Sequence, residues 1–227
     1  MHRRSFLART AGAAAALGAA ETLAGSVAAE SPVQQPASPD LWLSRMTAQH
    51  RCFFDFTAHG EGAPLMQMWN YINTYREAYG QAANTINVIG SFYGAPGGGA
   101  SMPLAWNDAV WEKYRIGELM NLVDPETRAP TRRNLFFRPR AGDPVFMNGA
   151  VTGAGIENMQ RLGATFLMCN NAFRAWIAFL SGNGTKGNAA EIEREIRANL
   201  IPGVISVPAM VIAIEKAQEK GIAYKRA

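Results

Sequence analysis

The chain alternates short apolar runs with stretches of helical period, and this alternation limits the folds open to it more than any other feature. Residues 51–57 (RCFFDFT), 85–92 (TINVIGSF), 164–169 (ATFLMC), 204–207 (VISV) and 222–226 (IAYKR) are short, largely apolar and bounded by turn residues, which reads as strands. After the first run, Pro64 is placed for a first helical turn. Leu65, Met68, Trp69, Ile72, Tyr75 and Tyr79 then recur at helical spacing until Gly80. Residues 171–180 put Phe173, Trp176, Ile177 and Leu180 on one face, and Ile192, Ile196 and Leu200 follow at steps of four, with Glu193 and Arg197 paired on the surface. Pro208 opens a last helix that Gly221 stops. Strands that alternate with helices call for right-handed crossovers and a parallel sheet covered on both faces. The expectation is an α/β fold, a three-layer flavodoxin-like sandwich with a mainly parallel sheet of about five strands.

The remaining segments are less periodic. A glycine-rich loop, residues 94–101, follows the second strand, and one helix is expected over residues 103–120 with Leu104, Trp111 and Tyr114 on one side. Residues 121–149 hold several prolines and no clear period, and read as a long excursion. A short helix is expected over 155–162, and a flexible loop at SGNGTKGN, residues 181–188.

The amino terminus carries a different signal. Arg3 and Arg4 precede Phe6 and Leu7, an alanine-rich stretch follows over residues 11–20, and small residues at 26–29 offer a cleavage site. In that order these features read as a twin-arginine export signal over residues 1–29, too short and too small in side chain to span a bilayer. No stable membrane span is expected after its removal, and the mature protein is expected to be periplasmic or exported. Residues 30–45 begin with the proline-rich ESPVQQPASPD and are expected to be a linker, so residues 46–227 form the domain, with an insertion around 121–149. Cleavage leaves just under 200 residues, the size of one domain.

Loss of Arg3, Arg4 and Arg9 against Glu21 takes the formal charge from +4 to about +2, and the remaining basic residues are scattered except at 128–140. That is not the footprint of a nucleic-acid binder, and none is expected to bind. Cys52 and Cys169 are the two cysteines. They sit at opposite ends of their strands, roughly 15–20 Å apart at ~3.3 Å per residue, beyond the ~7 Å reach of a disulfide. Two unpaired thiols follow. His50 and His59 cannot converge with them on a metal ion, so no metal site is expected.

In an open parallel sheet, ligands gather at the carboxyl ends of the strands. Cys169 lies there, at the start of a helix whose dipole favours a thiolate, and is the candidate nucleophile. Asn170 and His59 are candidate helpers, His59 as an acid, base or anion contact beside Cys169. Cys52 reads as core. Residues 94–101 could cradle an anion, and with residues 57–62 a flavin phosphate. However, the chain has no Walker lysine, no dinucleotide fingerprint and no nucleophile elbow, so no cofactor is expected and a hinge or packing loop is the better reading.

Two segments of the carboxyl-terminal half, ATFLMCNNAF and NLIPGVISVPAMVIAIEKAQEKGIAYKRA, resemble the DsrE/DsrF-like sulfur-relay family: a strand ending in Cys, a helix, a Pro-Gly-Val strand, a Val-Pro helix start and a Gln-x-x-Gly-x-x-Tyr closing strand. The likeness covers about the last 65 residues, while the segment from Trp106 to Asn134 reads as an insertion. It implies a homo-oligomer, trimer or hexamer, with a persulfide carried on Cys169 and an unknown sulfur donor or acceptor protein as partner. Ala209 and Met210 depart from the small pair common after Val-Pro, and export departs from the cytoplasmic setting of relay members. Two functions of different class follow: a periplasmic protein that binds or transfers sulfane sulfur through Cys169, or a non-enzymatic oligomeric module that binds a small ligand or partner.

Overall fold

A computed structural model describes residues 38–182 and 187–227. The expected signal (1–29), residues 30–37 of the expected linker and residues 183–186 of the expected flexible loop lie outside the described residues. The last part of that linker is folded: Leu41–Arg45 form a 3-10 helix whose Trp42 is buried. The domain therefore begins before residue 46.

Five parallel strands form one sheet: β1 (His50–Asp55), β2 (Ile86–Phe92), β3 (Thr165–Cys169), β4 (Ile205–Val207) and β5 (Ala223–Arg226), in the order β4-β3-β2-β1-β5. The expected three-layer flavodoxin-like sandwich is what the chain forms. The register sets Phe54 beside Gly90 and Gly90 beside Phe166, so these three positions share one face. There Phe92 stacks on Phe166 at 5.1 Å between ring centroids. Gly90 makes room for this layer, since a Cβ at that position would lie 2.8 Å from the Phe166 ring and 2.9 Å from Phe56. Helix α1 (Ala63–Glu77) covers this face, with Tyr71 packed edge-on against Phe54.

The single helix expected over 103–120 is instead three pieces: a 3-10 turn at Met102–Ala105, α2 (Asp108–Lys113) and α3 (Ile116–Leu119). Tertiary hydrogen bonds win over helical period here. Ile201 and Asn107 donate their backbone N–H to Ala105 and Asn199, tying this segment to residues 199–201. The Asn107 side chain then caps α2, and Arg115 takes a left-handed conformation (φ 54°) that ends it.

Residues 121–149 are ordered and packed. Asn134 donates its side-chain amide to the carbonyls of Leu104 and Trp106, Leu135 and Phe136 are buried, and Arg133 pairs with the fully buried Asp143. The excursion ends in α4 (Phe146–Gly149), a single turn with left-handed backbone at Phe146, Met147, Asn148 and Gly149. The rest matches the expected elements closely: α5 (Ile156–Arg161), α6 (Asn170–Gly182), α7 (Ala189–Ala198) and α8 (Met210–Glu219). Arg197 and Glu193 form the expected pair on α7 at 2.7 Å. Among the described residues no helix is long and apolar enough to cross a membrane.

Candidate functional site

The strand order locates the site. From β1 to β4 each strand is laid beside the previous one in the same direction, whereas the chain leaving β4 returns across the sheet to place β5 beside β1. With right-handed crossovers, the first three connections cover one face and α8 covers the other. The chain therefore diverges to opposite faces after β3 and β4, and the crevice between the carboxyl ends of two such strands is where open α/β sheets bind ligands. Cys169 and Val207 end these strands and are register partners.

At this point the Cys169 sulfur accepts two backbone N–H groups: Ala172 at 3.5 Å, in the first turn of α6, and Met210 at 3.3 Å, the first residue of α8. The thiol acts as the cap of α6 and also meets the start of α8. Two helix N-termini converge on one sulfur, and amide donors at such ends stabilise negative charge. The residue is 6% exposed, against 0% for Cys52. The sulfur thus sits just beneath the sheet's carboxyl rim, nearly closed over by the two helix starts.

The expected helpers are engaged elsewhere. Asn170 accepts the Arg197 guanidinium at 2.6 Å, and Arg197 stacks over Phe173, so this side chain ties α6 to α7. His59 is held by the glycine-rich loop: its Nε2 lies 2.8 Å from the Gly98 carbonyl, its Nδ1 accepts the Glu61 N–H at 3.1 Å, and its own N–H donates to the Gly99 carbonyl. With both ring nitrogens committed and β2 standing between β1 and β3, the structure does not bring His59 and Cys169 together. Burial lowers the imidazole's pKa below its ordinary value. Neither role was legible from sequence, because both depend on which loop carbonyl or guanidinium lies opposite.

The glycine-rich loop is pinned from the other side by Ser101, whose buried hydroxyl lies within bonding distance of the carbonyls of Phe56, Ser91 and Tyr93. Trp176 Nε1 donates to the Gly94 carbonyl. These bonds pin both ends of the loop.

Cys52 and Cys169 are both unpaired. Cys52 stands opposite Val88 on the sheet and Cys169 lies one residue beyond the Phe92–Met168 pair, a separation of about 16 Å along the strands at ~3.3 Å per residue. Burial pushes the Cys52 thiol up to about 11. His50 stacks on Tyr75 at 4.2 Å, another packing role.

One polar cluster escaped sequence reading. Asp55, at the end of β1 and nearly buried, accepts the hydroxyls of Ser91 (3.2 Å) and Tyr224 (2.8 Å), and Ser91 in turn accepts the Phe56 N–H. Burial and the neighbouring carboxylate raise Tyr93, and the bond to Asp55 raises Tyr224. These residues are far apart in sequence: pairing of β1 with β2 brings Asp55 to Ser91, and the return of β5 to β1 adds Tyr224.

Four cavities of about 390–460 Å³ lie along α1 and β5 or among residues 108–161, and Cys169 lines none of them. No protein-family model matches the chain, and no curated protein or solved structure matches it. The class defined by fold and geometry is a parallel α/β sandwich with a capped cysteine at its strand-crossover point.

Proposed function

We propose that the protein accepts and passes on sulfane sulfur through a persulfide on Cys169, working as an exported protein of the cell envelope. The observation that carries this reading is the pair of amide donors, from Ala172 and Met210, aimed at the Cys169 sulfur. An anionic sulfur is stabilised there, first as the attacking thiolate and then as the persulfide. The step balances without an external oxidant. The Cys169 thiolate attacks the sulfane sulfur of a donor such as thiosulfate, the donor's S–S bond breaks, sulfite leaves with the bonding pair, and a new S–S bond forms on Cys169. The resemblance to the DsrE/DsrF-like family supports the same assignment and rests on the motif residues alone. Val211 and Ile212, 71% and 47% exposed beside the sulfur's Met210 donor, provide an apolar surface for assembly into the trimer or hexamer that this resemblance implies.

The test is the intact mass of the folded protein after incubation with thiosulfate or polysulfide. A gain of one sulfur, reversed by dithiothreitol and absent in Cys169→Ser, is expected. A mass that does not change, or a gain that persists in the variant, overturns the proposal. The near closure of Cys169 favours a second reading, a non-enzymatic binding module in which this cysteine only caps α6. That module would leave the mass unchanged in both proteins.

A further inference from the structure

The side chains of the edge strand β5 are exposed, and a cleft lies between the strand and α1, on the face opposite Cys169. Because side chains alternate along a strand, Lys225 shares its face with its register partner Phe54, whereas Cys169 lies on the other face, one residue after Met168. Phe54 is the cleft's floor, and Tyr71 packs edge-on to it at 5.5 Å. From Tyr71 the wall continues along α1 through Tyr75 and beyond its end to Tyr79, at steps of four, with ring centroids 4.8 and 5.5 Å apart. Gln67, Asn70 and Thr74 add neutral hydrogen-bonding groups from the same helix. The cleft holds about 450 Å³, within the ~300–1,000 Å³ typical of small-molecule sites.

The charge within it is one-sided. Lys225 is its single ionised side chain, no carboxylate lines it, and among the described residues Lys225 has no acidic partner within 4.0 Å. The Tyr71 hydroxyl is a further neutral group, its pKa raised above the ordinary 10 by burial and by the adjacent Tyr75. Successive rings from Phe54 through Tyr71 and Tyr75 to Tyr79 are inclined by 78°, 62° and 40°, which suits a flat ligand ring packed tilted or edge-to-face against them, and a lone ammonium among neutral donors suits one carboxylate.

We propose that the cleft between α1 and β5 binds aromatic carboxylates, the ring lying against the tyrosine row and the carboxylate meeting Lys225. This site is separate from Cys169, and its occupancy does not depend on sulfur chemistry.

Titration calorimetry of the full chain with 2-naphthoate tests the assignment, with 2-naphthalenemethanol as the uncharged control. Saturable binding is expected, with the alcohol weaker by about tenfold. Lys225→Gln is expected to weaken naphthoate by a similar factor, and Tyr79→Ala by about fivefold. Both positions are exposed, so both variants are expected to fold, as circular dichroism will confirm. Cys169→Ser is expected to bind as the parent does. Absence of binding, equal affinity for the alcohol, or affinity unchanged in Lys225→Gln and Tyr79→Ala would overturn the proposal.

Discussion

Tyr224 donates its hydroxyl to Asp55 Oδ2 at 2.8 Å, joining the last strand to the first. Removing the carboxylate in Asp55→Ala leaves the Ser91 and Tyr224 hydroxyls without their shared acceptor. The expected cost is about 2–3 kcal/mol, and about 1 kcal/mol for Tyr224→Phe, whose hydroxyl is closer to water. Urea unfolding of the three proteins measures both. Parent-like midpoints would show that the cluster does not hold β5 in place.

The two thiols should differ in reactivity. Cys52 is sealed in the core, with its pKa raised to about 11, and should resist iodoacetamide in the folded protein at pH 8. Cys169, slightly open and facing two amide donors, should be the first to alkylate. Peptide mapping after timed quenching reads the order of labelling, and Cys52 labelling first would contradict the burial described.

His59 makes stability depend on pH in a defined window. Its folded pKa is depressed below the ordinary 6.5, so between the two values the unfolded chain binds a proton that the folded chain does not. Stability from this group is fully present above pH 6.5 and is lost as pH falls toward the folded value. The depressed carboxylates Glu157 and Glu195 have ordinary values of 4.5, so their contribution is lost mainly below the range from pH 7 to pH 5. The unfolding free energy of the parent is expected to fall from pH 7 to pH 5, and that of His59→Gln to fall less. Equal slopes in paired urea titrations would count against a buried neutral imidazole.

Gly62 precedes Pro64 with φ 93° and faces the Phe146 ring, where a Cβ would lie 2.7 Å away. Gly62→Ala combines left-handed strain with overpacking against the turn that closes the excursion, and should cost about 2–4 kcal/mol. Thermal unfolding followed by circular dichroism tests this. An unchanged melting temperature would mean that Phe146 is free to move aside.

Within the excursion, Asp143 is fully buried against Arg133 and also accepts the Arg140 N–H at 2.7 Å. Asp143→Ala leaves the Arg133 guanidinium with only Asp124, 4.0 Å away, and should destabilise the fold by about 3 kcal/mol. Limited proteolysis should then cut within residues 121–149 of the variant and spare the parent. Equal resistance would show that other contacts hold the segment.

The layer order of the fold was readable because each strand is short, apolar and followed by a periodic helix, as in residues 164–180. Cys169 could be placed at the carboxyl edge for the same reason. What sequence could not show was long-range pairing. The Met210 donor depends on β4 lying beside β3, the Asp55 cluster on β5 returning to β1, and the break at Asn107 on backbone bonds to residues 199–201. Arg115 misled the helical period because its left-handed turn has no signature in its side chain. The aromatic cleft is not visible in sequence: the helical period puts Tyr75 and Tyr79 on an apolar stripe, whereas β5 pairs only with residues 52–55 of β1 and Tyr75 lies over His50.

The placement of β5 next to β1 also bears on synthesis. At ~5–20 residues per second, β1 would wait roughly 10–30 s on the ribosome for that neighbour to emerge. During that interval its unsatisfied backbone edge, which carries Phe53 and Phe54 and is followed by Phe56, is a template for pairing with other chains. Nascent chains would therefore gain from a chaperone that shields this border until the final strand closes it.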